Sequence, residues 1–515
     1  MQADHSENTK RIAKNTIMLY IRMLFSMLVS LYTSRVVLNT LGVEDYGIYN
    51  VVGGFVAMFS LVSNALSSSV SRFLTFELGK GDLVKLKRIF STSMWIHIAL
   101  AFVIFLLMES IGLWFLNTKM TFPLDRLSAA NYVFQASILS FLINLFIVPY
   151  NASIIAHEKM GVFAYIGILD VTLKLCIILF IAYSSAAFDN LIVYAILLMC
   201  SSLMMQVIYV LYCRRHFPEC RIQMNFDKEC WKDMSSFAGW NFIGCTAGLL
   251  KDQGINVLLN LFSGPVLNAA RGISTTVNNT VVAFAGNFMV ALNPQIIKSY
   301  ANNEVPYAIS LVERGSRFAF YILQFFAIPI LLETEFVLTL WLKNYPEHTL
   351  FFVRFILIVS LVDIISNTLI NLQIATGKIR DYQIAVGGML MMNFPLSYIC
   401  LNLGYPPESV YIVALFVAMA CLFLRLYFLN KMVGLSILHF LKSVCLNILK
   451  VVGFSLPIPL LVSCYFDAGW IRFIVVLLLS SLCSIFTIMF VGCSFEERQF
   501  IIEKVNQIKT KVLHD

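Results

Sequence analysis

The chain has 515 residues, of which 59% are hydrophobic and 13% are charged, and its formal net charge is +8. Soluble globular proteins carry about 25% charged residues, so this composition excludes an ordinary soluble domain and indicates a polytopic membrane protein. The positive charge is then informative through its placement in loops and gives no reason to expect nucleic acid. The 12 cysteines are scattered singly, which predicts neither a disulfide framework nor a metal site.

Fourteen apolar stretches long enough to cross a bilayer follow one another along the chain. They cover residues 16–39, 46–70, 90–116, 128–150, 161–183, 190–212, 236–262, 265–292, 308–332, 350–373, 383–402, 408–424, 444–465 and 471–492. No cleavage site follows the polar N-terminus, so the first stretch is expected to be a retained span. Gly453 and the prolines at 457 and 459 interrupt the thirteenth stretch. Residues 496–513 have the alternating charge of an amphipathic tail helix.

The placement of Lys and Arg predicts the orientation of these spans. An even number of spans puts both termini on one side of the membrane. When Arg314, Arg317 and Arg472, which lie toward the ends of their spans, are counted with the adjoining loops, 26 of the 37 Lys and Arg residues lie on the side of the termini, four lie on the opposite side and seven lie within spans. Cytoplasmic loops carry the excess of Lys and Arg, so both termini are expected in the cytoplasm.

Short motifs recur with a nearly constant offset and indicate an internal repeat. Ile155-Ala156-x-x-Lys159 returns 219 residues later as Ile374-Ala375-x-x-Lys378. Repeats of six helices keep the same orientation, so we expect two six-helix lobes related by a pseudo-two-fold axis along the membrane normal. The predicted organisation of this all-α protein is an N-terminal lobe (1–212), a cytoplasmic loop (213–235), a C-terminal lobe (236–430), helices 13 and 14 (431–492) and a cytoplasmic tail (493–515).

Lys251 and Asp252 lie near the middle of the seventh apolar stretch. A charge at the bilayer midplane costs about 2.5–3.5 kcal/mol on insertion scales and usually faces a bundle interior or a wet cavity. Adjacent residues point about 100° apart on a helix, so the partners of these two charges must come from elsewhere. Asn256 continues a polar stripe from Asp252, and Gln253-Gly254 indicates a break in the helix. Two interpretations remain: an ion pair that fixes helix packing, or a binding site on an interrupted helix.

Other polar residues within the spans extend the set of cavity candidates. Asp170 and Lys174 stand four residues apart, which predicts a self-contained ion pair. Arginines near span ends lie within snorkelling reach of an interface, and Ser or Asn side chains more commonly join helices than bind substrate. The candidate substrate-binding residues are Arg22, Arg35, Lys174, Lys251, Asp252, Asn256, Arg271, Asn278 and Asp363.

The charges within the spans favour an acidic substrate. When Lys450 in the interrupted thirteenth stretch and Glu109 near an outer end are left out, six cations stand against three well-buried acids, the cations being five of the candidates above together with Arg354. Guanidinium groups match phosphate oxygens, so such a surplus suits a phosphate-bearing ligand. No Walker A sequence is present, which argues against an ATPase. The outer loops hold about 18 residues or fewer, too few for a catalytic surface, so neither an enzyme nor a cofactor is expected.

Three segments resemble segments of a known transporter family. Leu41-Gly42-Val-Glu-Asp-Tyr46-Gly47-Ile48-Tyr49 resembles the L-G-x-x-x-(Y/F)-G segment of polysaccharide exporters. Phe262-Ser-Gly-Pro265-Val-Leu-Asn268-Ala-Ala-Arg271-Gly272 and Asn293-Pro294-Gln295-Ile296 resemble their seventh-to-eighth helix region. The chain is thus similar, over helices 1–12, to the polysaccharide transporter branch of the multidrug/oligosaccharidyl-lipid/polysaccharide (MOP) exporters, which includes Wzx-type O-antigen flippases and MurJ-like lipid II flippases.

The resemblance implies two lobes around a cationic central cavity and alternating access. It implies movement of an undecaprenyl-pyrophosphate-linked oligosaccharide from the cytoplasmic to the periplasmic leaflet of the bacterial inner membrane. Arg271 lies where MurJ-like members carry a functional arginine, and Arg22 lies in helix 1, where they also place a cation. Lys251 and Asp252 match no family motif. Expected partners are the lipid-linked anionic oligosaccharide, membrane lipids, and the polymerase and glycosyltransferases of the pathway; the protein is expected to be a monomer.

Two other functions remain open. A MATE-like multidrug/cation antiporter with the same fold predicts acid-lined lobes, and the surplus of cations argues against it. A membrane enzyme of glycan assembly is disfavoured by the short outer loops. The sequence indicates neither which glycan is carried nor which ion or gradient drives transport.

Overall fold

A computed structural model describes residues 2–118, 125–183, 189–223, 227–263, 265–499 and 502, and within these residues the secondary structure is helical without strands. Three π-helical segments, Met108–Gly112, Leu441–Cys445 and Ile488–Gly492, continue neighbouring helices. The α-helices are α1 (Gln2–Ala57), α2 (Ser60–Lys80), α3 (Leu83–Leu107), α4 (Leu113–Thr118), α5 (Leu127–Ala156), α6 (Met160–Tyr183), α7 (Asn190–His216), α8 (Lys228–Ser263), α9 (Pro265–Ala301), α10 (Val305–Leu332), α11 (Thr334–Leu342), α12 (Thr349–Thr376), α13 (Arg380–Met391), α14 (Asn393–Asn402), α15 (Ser409–Val433), α16 (Ile437–Phe440), α17 (Leu446–Ser455), α18 (Pro457–Tyr465) and α19 (Trp470–Thr487).

The predicted all-α membrane fold is confirmed. Among the described residues twelve helices are long and apolar enough to cross a membrane, and a thirteenth candidate is the pair Asp45–Val56 and Ser60–Lys80, which is bent by 48°. Helix α8 covers the remaining predicted stretch, 236–262, as a helix of 36 residues. It falls outside the apolar set because Lys251, Asp252 and their polar neighbours lower its mean hydropathy. About fourteen helices therefore agree with the apolar stretches of the sequence.

At three places the sequence gives a reason to expect a bend or a break in a helix. Within α1 the chain kinks at Gly42, whose backbone (φ 79°, ψ 172°) is not helical. The thirteenth stretch is interrupted as predicted, since α17 ends at Ser455 and α18 begins at Pro457. The predicted break at Gln253-Gly254 is wrong, because α8 is continuous there. A Cβ at Gly254 would lie 2.8 Å from Phe394 Cδ2, so this glycine serves close packing against α14 and not a break.

The chain divides into two compact units. Unit 1 comprises Met1–Thr246 and Ile297–Asn303, and unit 2 comprises Ala247–Ile296 and Glu304–Asp515. Helices α8 and α9 thus each contribute residues to both units. In unit 1, α1 packs along α6 and α5 along α7; in unit 2, α10 and α15 pack on α12. Apolar side chains fill both units, for example around Phe90 and Tyr150 in unit 1 and around Phe352 in unit 2.

The repeated motif has a residue with positive φ at the same position in both copies. In the first copy α5 ends at Ala156, and Glu158 has a positive φ of 57°. In the second copy α12 ends at Thr376, and Gly377 has a positive φ of 76°. Positions 158 and 377 have the offset of the sequence repeat. The left-handed backbone that ends the helix is therefore part of the repeat, although only the second copy has the glycine that favours it.

The predicted tail is described only at its start. Ser494 and Glu497 form a reciprocal cap, in which the Glu497 amide donates to Ser494 Oγ at 3.3 Å and the Ser494 amide donates to Glu497 Oε2 at 2.8 Å. This is the capping-box arrangement that starts a helix, and residues 495–499 are helical. Apart from residue 502, the predicted tail helix beyond 499 lies outside the described residues.

Candidate functional site

Lys251 of α8 pairs with Asp363 of α12 inside unit 2. Lys251 Nζ lies 3.3 Å from Asp363 Oδ2, and the two side chains are 12% and 40% exposed. The partner of Lys251 thus comes from another helix, as expected for a charge that the sequence places near the bilayer midplane. The pair joins α8 to α12, and an unpaired charge at that predicted depth would be expensive, which gives the pair a structural role whatever else it does.

Arg271 of α9 is more deeply buried, at 5% exposure. Its Nη2 donates a hydrogen bond of 2.8 Å to the main-chain carbonyl of Asp252, and its guanidinium lies 5.9 Å from the ring centre of Tyr411 on α15. Among the described residues no carboxylate forms a salt bridge with it. A carbonyl and an aromatic face compensate a guanidinium charge only in part. These two contacts therefore leave the charge of Arg271 only partly compensated.

Four charged residues of unit 2 form one group, which we call the charge cluster: Lys251, Asp252, Arg271 and Asp363. Asp252 interacts electrostatically with the other three. The cluster holds two cations and two acids, so its formal charge is balanced. The surplus of cations expected from the sequence does not lie within this group. What distinguishes the cluster is that Lys251 is paired with a carboxylate, whereas Arg271 forms no such pair within the part of the chain that the structure describes.

The two other candidates in unit 2 are amide side chains. Asn256 donates through Nδ2 to Gln253 Oε1 at 3.0 Å, so it is tied to its own helix. Asn278 of α9 has a buried Oδ1 without a hydrogen-bond partner among the described residues. A buried acceptor of this kind usually finds a partner from water or ligand.

The remaining candidates lie in unit 1. Arg22 of α1 lies over the ring of Phe163 on α6, 4.2 Å from its centre. Lys174 forms the predicted pair with Asp170, with Nζ and Oδ2 2.7 Å apart. Arg35 is exposed. The structure therefore brings together Lys251, Asp252, Arg271 and Asp363 in unit 2, and the other three charged candidates are not part of this group.

A buried carboxylate that the sequence analysis missed lies at Glu158. Its side chain is 1% exposed and forms salt bridges with Arg11 Nε at 2.7 Å and with Lys298 Nζ at 2.6 Å. The Glu158 carbonyl also accepts a hydrogen bond from Asn15 Nδ2 at 3.2 Å. The available signal was the repeat itself, because Glu158 occupies the position at which the second copy has Gly377.

A second missed group lies on the predicted outer side of unit 1. Arg126 binds Asp45, which follows the kink of α1, with Nε 2.8 Å from Oδ1. It also binds Asp189, the residue that caps the N-terminus of α7, at 2.5 Å. The hydrogen bond to Asp45 is the largest cause that raises the pKa of Arg126. One guanidinium thereby ties the segment after the α1 kink to the beginnings of α5 and α7.

Residues 12–305 match the model of a family described as "Polysaccharide biosynthesis protein". Among solved structures the chain is similar to a mutant of a MATE transporter, with 14% identity, 83% of this chain and 96% of the other covered, and a TM-score of 0.72. A MOP superfamily transporter from Pyrococcus furiosus, described by the reverse polarity of its binding pocket, has the same identity and coverage and a TM-score of 0.70. The MATE transporter ClbM in complex with Rb+ matches at 12% identity, with 84% and 97% covered and a TM-score of 0.67. No curated protein matches significantly.

The structural matches establish a MATE-like fold, and the family match covers more than half of the chain. Together with the many apolar helices they indicate a multi-pass membrane protein. The chain belongs to the family described as "Polysaccharide biosynthesis protein".

Proposed function

We propose that this protein is a flippase that moves a lipid-linked oligosaccharide across a bacterial inner membrane. The substrate would be an undecaprenyl-pyrophosphate-linked glycan that is assembled in the cytoplasm and used for O-antigen, capsule or exopolysaccharide synthesis. Membership of a polysaccharide biosynthesis family and a transporter fold support this assignment. Movement would follow alternating access, with glycosyltransferases and a polymerase as partners before and after it in the pathway.

The observation that carries the proposal is the buried, incompletely compensated charge of Arg271. Its guanidinium contacts a main-chain carbonyl and an aromatic ring but forms no salt bridge within the described chain. Planar guanidinium groups bind phosphate oxygens through two parallel hydrogen bonds. A pyrophosphate is the anionic part of the proposed substrate, so Arg271 is the residue to which we assign it. Lys251, already paired with Asp363, would contribute positive potential more than a direct contact.

A cation antiporter is the second candidate, because the similar solved structures include MATE transporters. Asp252 and Asp363 would be its acidic residues in unit 2. Asp363, however, has Lys251 as a built-in counter-charge. A site that must bind a mobile cation would have to displace this amine, so the pair disfavours the alternative.

The two functions are separated by an experiment in the natural host. Depletion of the protein is expected to accumulate the lipid-linked glycan on the cytoplasmic leaflet and to remove surface polysaccharide, and renewed expression should reverse both. Leaflet sidedness can be measured by the access of a glycosidase or lectin to lipid-linked glycan in spheroplasts. Unchanged sidedness, together with drug sensitivity that follows the protein level, would instead establish the cation antiporter.

The proposed orientation places both termini in the cytoplasm and is tested by reporter fusions. Fusions after Lys80, Glu219 and Lys378 should all report a cytoplasmic location, because these loops lie on the side of the membrane to which the excess of Lys and Arg is assigned. Alkaline phosphatase and a fluorescent protein provide complementary readouts at each position. Alkaline phosphatase activity at two of the three positions would reverse the proposed topology.

A further inference from the structure

The last turn of α9 differs from the rest of that helix in what it packs against. Residues Ile297–Asn303 belong to unit 1, whereas α9 up to Ile296 belongs to unit 2. Within unit 1 the backbone of α2 touches this turn directly: a Cβ at Gly79 would lie 3.1 Å from Lys298 Cα and 3.2 Å from Ala301 Cβ. Ser299 and Ala301 are buried there, each at 4% exposure. The turn is thus a short, well-packed attachment of α9 to unit 1.

Glu158 provides the ionic part of this attachment. Its carboxylate is shared between Lys298 in the last turn of α9 and Arg11 near the start of α1. Lys298 is 19% exposed and Arg11 is 48% exposed, so water reaches one side of the group. Loss of one partner of a buried ion pair leaves an uncompensated charge and is strongly unfavourable. Here, however, water at the edge of the group can replace a partner that moves away. The loss is therefore smaller than in a fully buried pair, and the contact can be reversible.

The backbone at Glu158 supports a role beyond ordinary packing. A residue other than glycine at φ 57° adopts a sparsely populated conformation that costs energy and persists where the surroundings require it. The second copy of the repeat uses Gly377 at this position without that cost. Since glycine would fulfil the turn, the carboxylate of Glu158 is the property that accounts for its presence.

A weak point in α9 lies just before the attached turn. Pro294 stands inside the helix, three residues before Ile297. A proline removes one backbone hydrogen bond and crowds the preceding turn, so it is the place at which a helix bends most readily. Asn293-Pro294-Gln295-Ile296, one of the motifs that resemble the exporter family, thus lies where the residues of α9 change from unit 2 to unit 1.

We propose that Glu158 is the latch of a conformational switch: its salt bridges to Lys298 and Arg11 hold the last turn of α9 in unit 1 in one state of the transport cycle, and this turn is released in another. Bending at Pro294 allows the release. The inference requires that the chain transports a substrate but does not depend on which substrate it carries. Glu158, Lys298 and Arg11 are positioning residues, and none of them is assigned to substrate binding.

Thiol labelling measures the latch without any substrate. Ser299→Cys is nearly isosteric and places a reporter thiol in the buried turn, so a membrane-permeant maleimide should label it slowly in the otherwise unchanged protein. Glu158→Gly removes both salt bridges and introduces the residue that the second copy of the repeat uses, so the turn conformation is retained. Labelling of the reporter thiol is then expected to become about tenfold faster, which corresponds to about 1.4 kcal/mol. The parent with Ser299 unchanged corrects for labelling of native cysteines.

Glu77→Gln is the matched control. Glu77 is a buried carboxylate of unit 1 whose salt-bridge partner, Lys85, lies 3.0 Å away on α3. This variant removes a buried charge but leaves the contacts of Lys298 intact. The rate of labelling of the reporter thiol should therefore stay within about twofold of the rate in the Ser299→Cys protein. An unchanged rate in Glu158→Gly would overturn the latch. Equal acceleration in both variants would also overturn it, because that result means general loosening.

A crosslink tests whether the turn must leave unit 1 during transport. The distance of 3.2 Å from a Cβ at Gly79 to Ala301 Cβ is close to the range of about 3.5–4.5 Å that disulfides show. Gly79→Cys/Ala301→Cys should form a disulfide on oxidation, stop export, and recover export when a reductant is added. Full export by crosslinked protein would overturn the proposal. If the proposed glycan is not the substrate, export is absent in oxidised, reduced and parent protein alike, whereas the labelling result is unaffected.

Discussion

Arg271→Ala is expected to lower surface polysaccharide by about ten- to hundredfold while the amount of protein in the membrane stays near normal. The physical reason is the loss of a charge-assisted contact to phosphate, which contributes about 1.5–3 kcal/mol, and a difference of about 1.4 kcal/mol changes an equilibrium tenfold. The hydrogen bond from Arg271 to the carbonyl of Asp252 is lost as well, but that carbonyl lies within a continuous helix. The measurement is polysaccharide on gels, normalised to protein detected by immunoblot.

Two further variants separate charge from geometry. Arg271→Lys keeps the positive charge but loses the planar fork that matches phosphate, so export is expected between that of Arg271→Ala and that of the parent. Arg354→Gln is the matched control, since Arg354 is a partly buried cation of the same unit whose Nε donates to Thr334 Oγ1 at 3.3 Å. It should leave export nearly unchanged. Normal export by Arg271→Ala at normal protein levels would exclude Arg271 from substrate binding.

Hydropathy predicts most of this fold because the bilayer imposes a strict requirement. A span must satisfy its own backbone and bury few charges over about 20 residues, so apolar stretches coincide with helices such as α5, α7 and α12. The continuity of α8 could not be predicted in the same way. Gly254 next to a polar residue suggests a break, but its function depends on Phe394, which lies far along the chain in α14.

The candidate site was predictable as a set of residues but not as a set of contacts. Lys174 and Asp170 are four residues apart, and local helix geometry alone makes them meet. Lys251 and Asp363 are 112 residues apart, so their contact depends on how α8 packs against α12. Glu158 could not be recognised from the sequence as an unusual charged residue, because it lies in a loop, where charged residues are common. Comparison with Gly377 shows that Glu158 has a strained backbone at a position where the other copy of the repeat has glycine.

The second large effect is expected on stability, at the pair of Lys251 and Asp363. Lys251→Ala leaves the Asp363 carboxylate without its partner, which should cost about 1–3 kcal/mol of stability. The 40% exposure of the Asp363 side chain favours the lower part of this range. Lys251→Ala/Asp363→Ala removes both charges and should recover most of the loss. The thermal midpoint of the purified protein in detergent measures both changes. Lys174→Ala, which breaks a more exposed pair within one helix, is the control and should cost less than about 1 kcal/mol.

The same double variant decides what the midplane pair does for transport. If Lys251 serves only to neutralise Asp363, the double variant recovers export together with stability, because the helices again pack without an unpaired charge. If Lys251 also attracts the substrate, stability recovers while export remains low, and export then falls further when Arg271 is replaced. Export that recovers fully in Lys251→Ala/Asp363→Ala would confine the substrate contact to Arg271. In that case the pair serves only the packing of unit 2. The anion is then bound by Arg271, the buried cation of the charge cluster that forms no salt bridge with a carboxylate of the described residues.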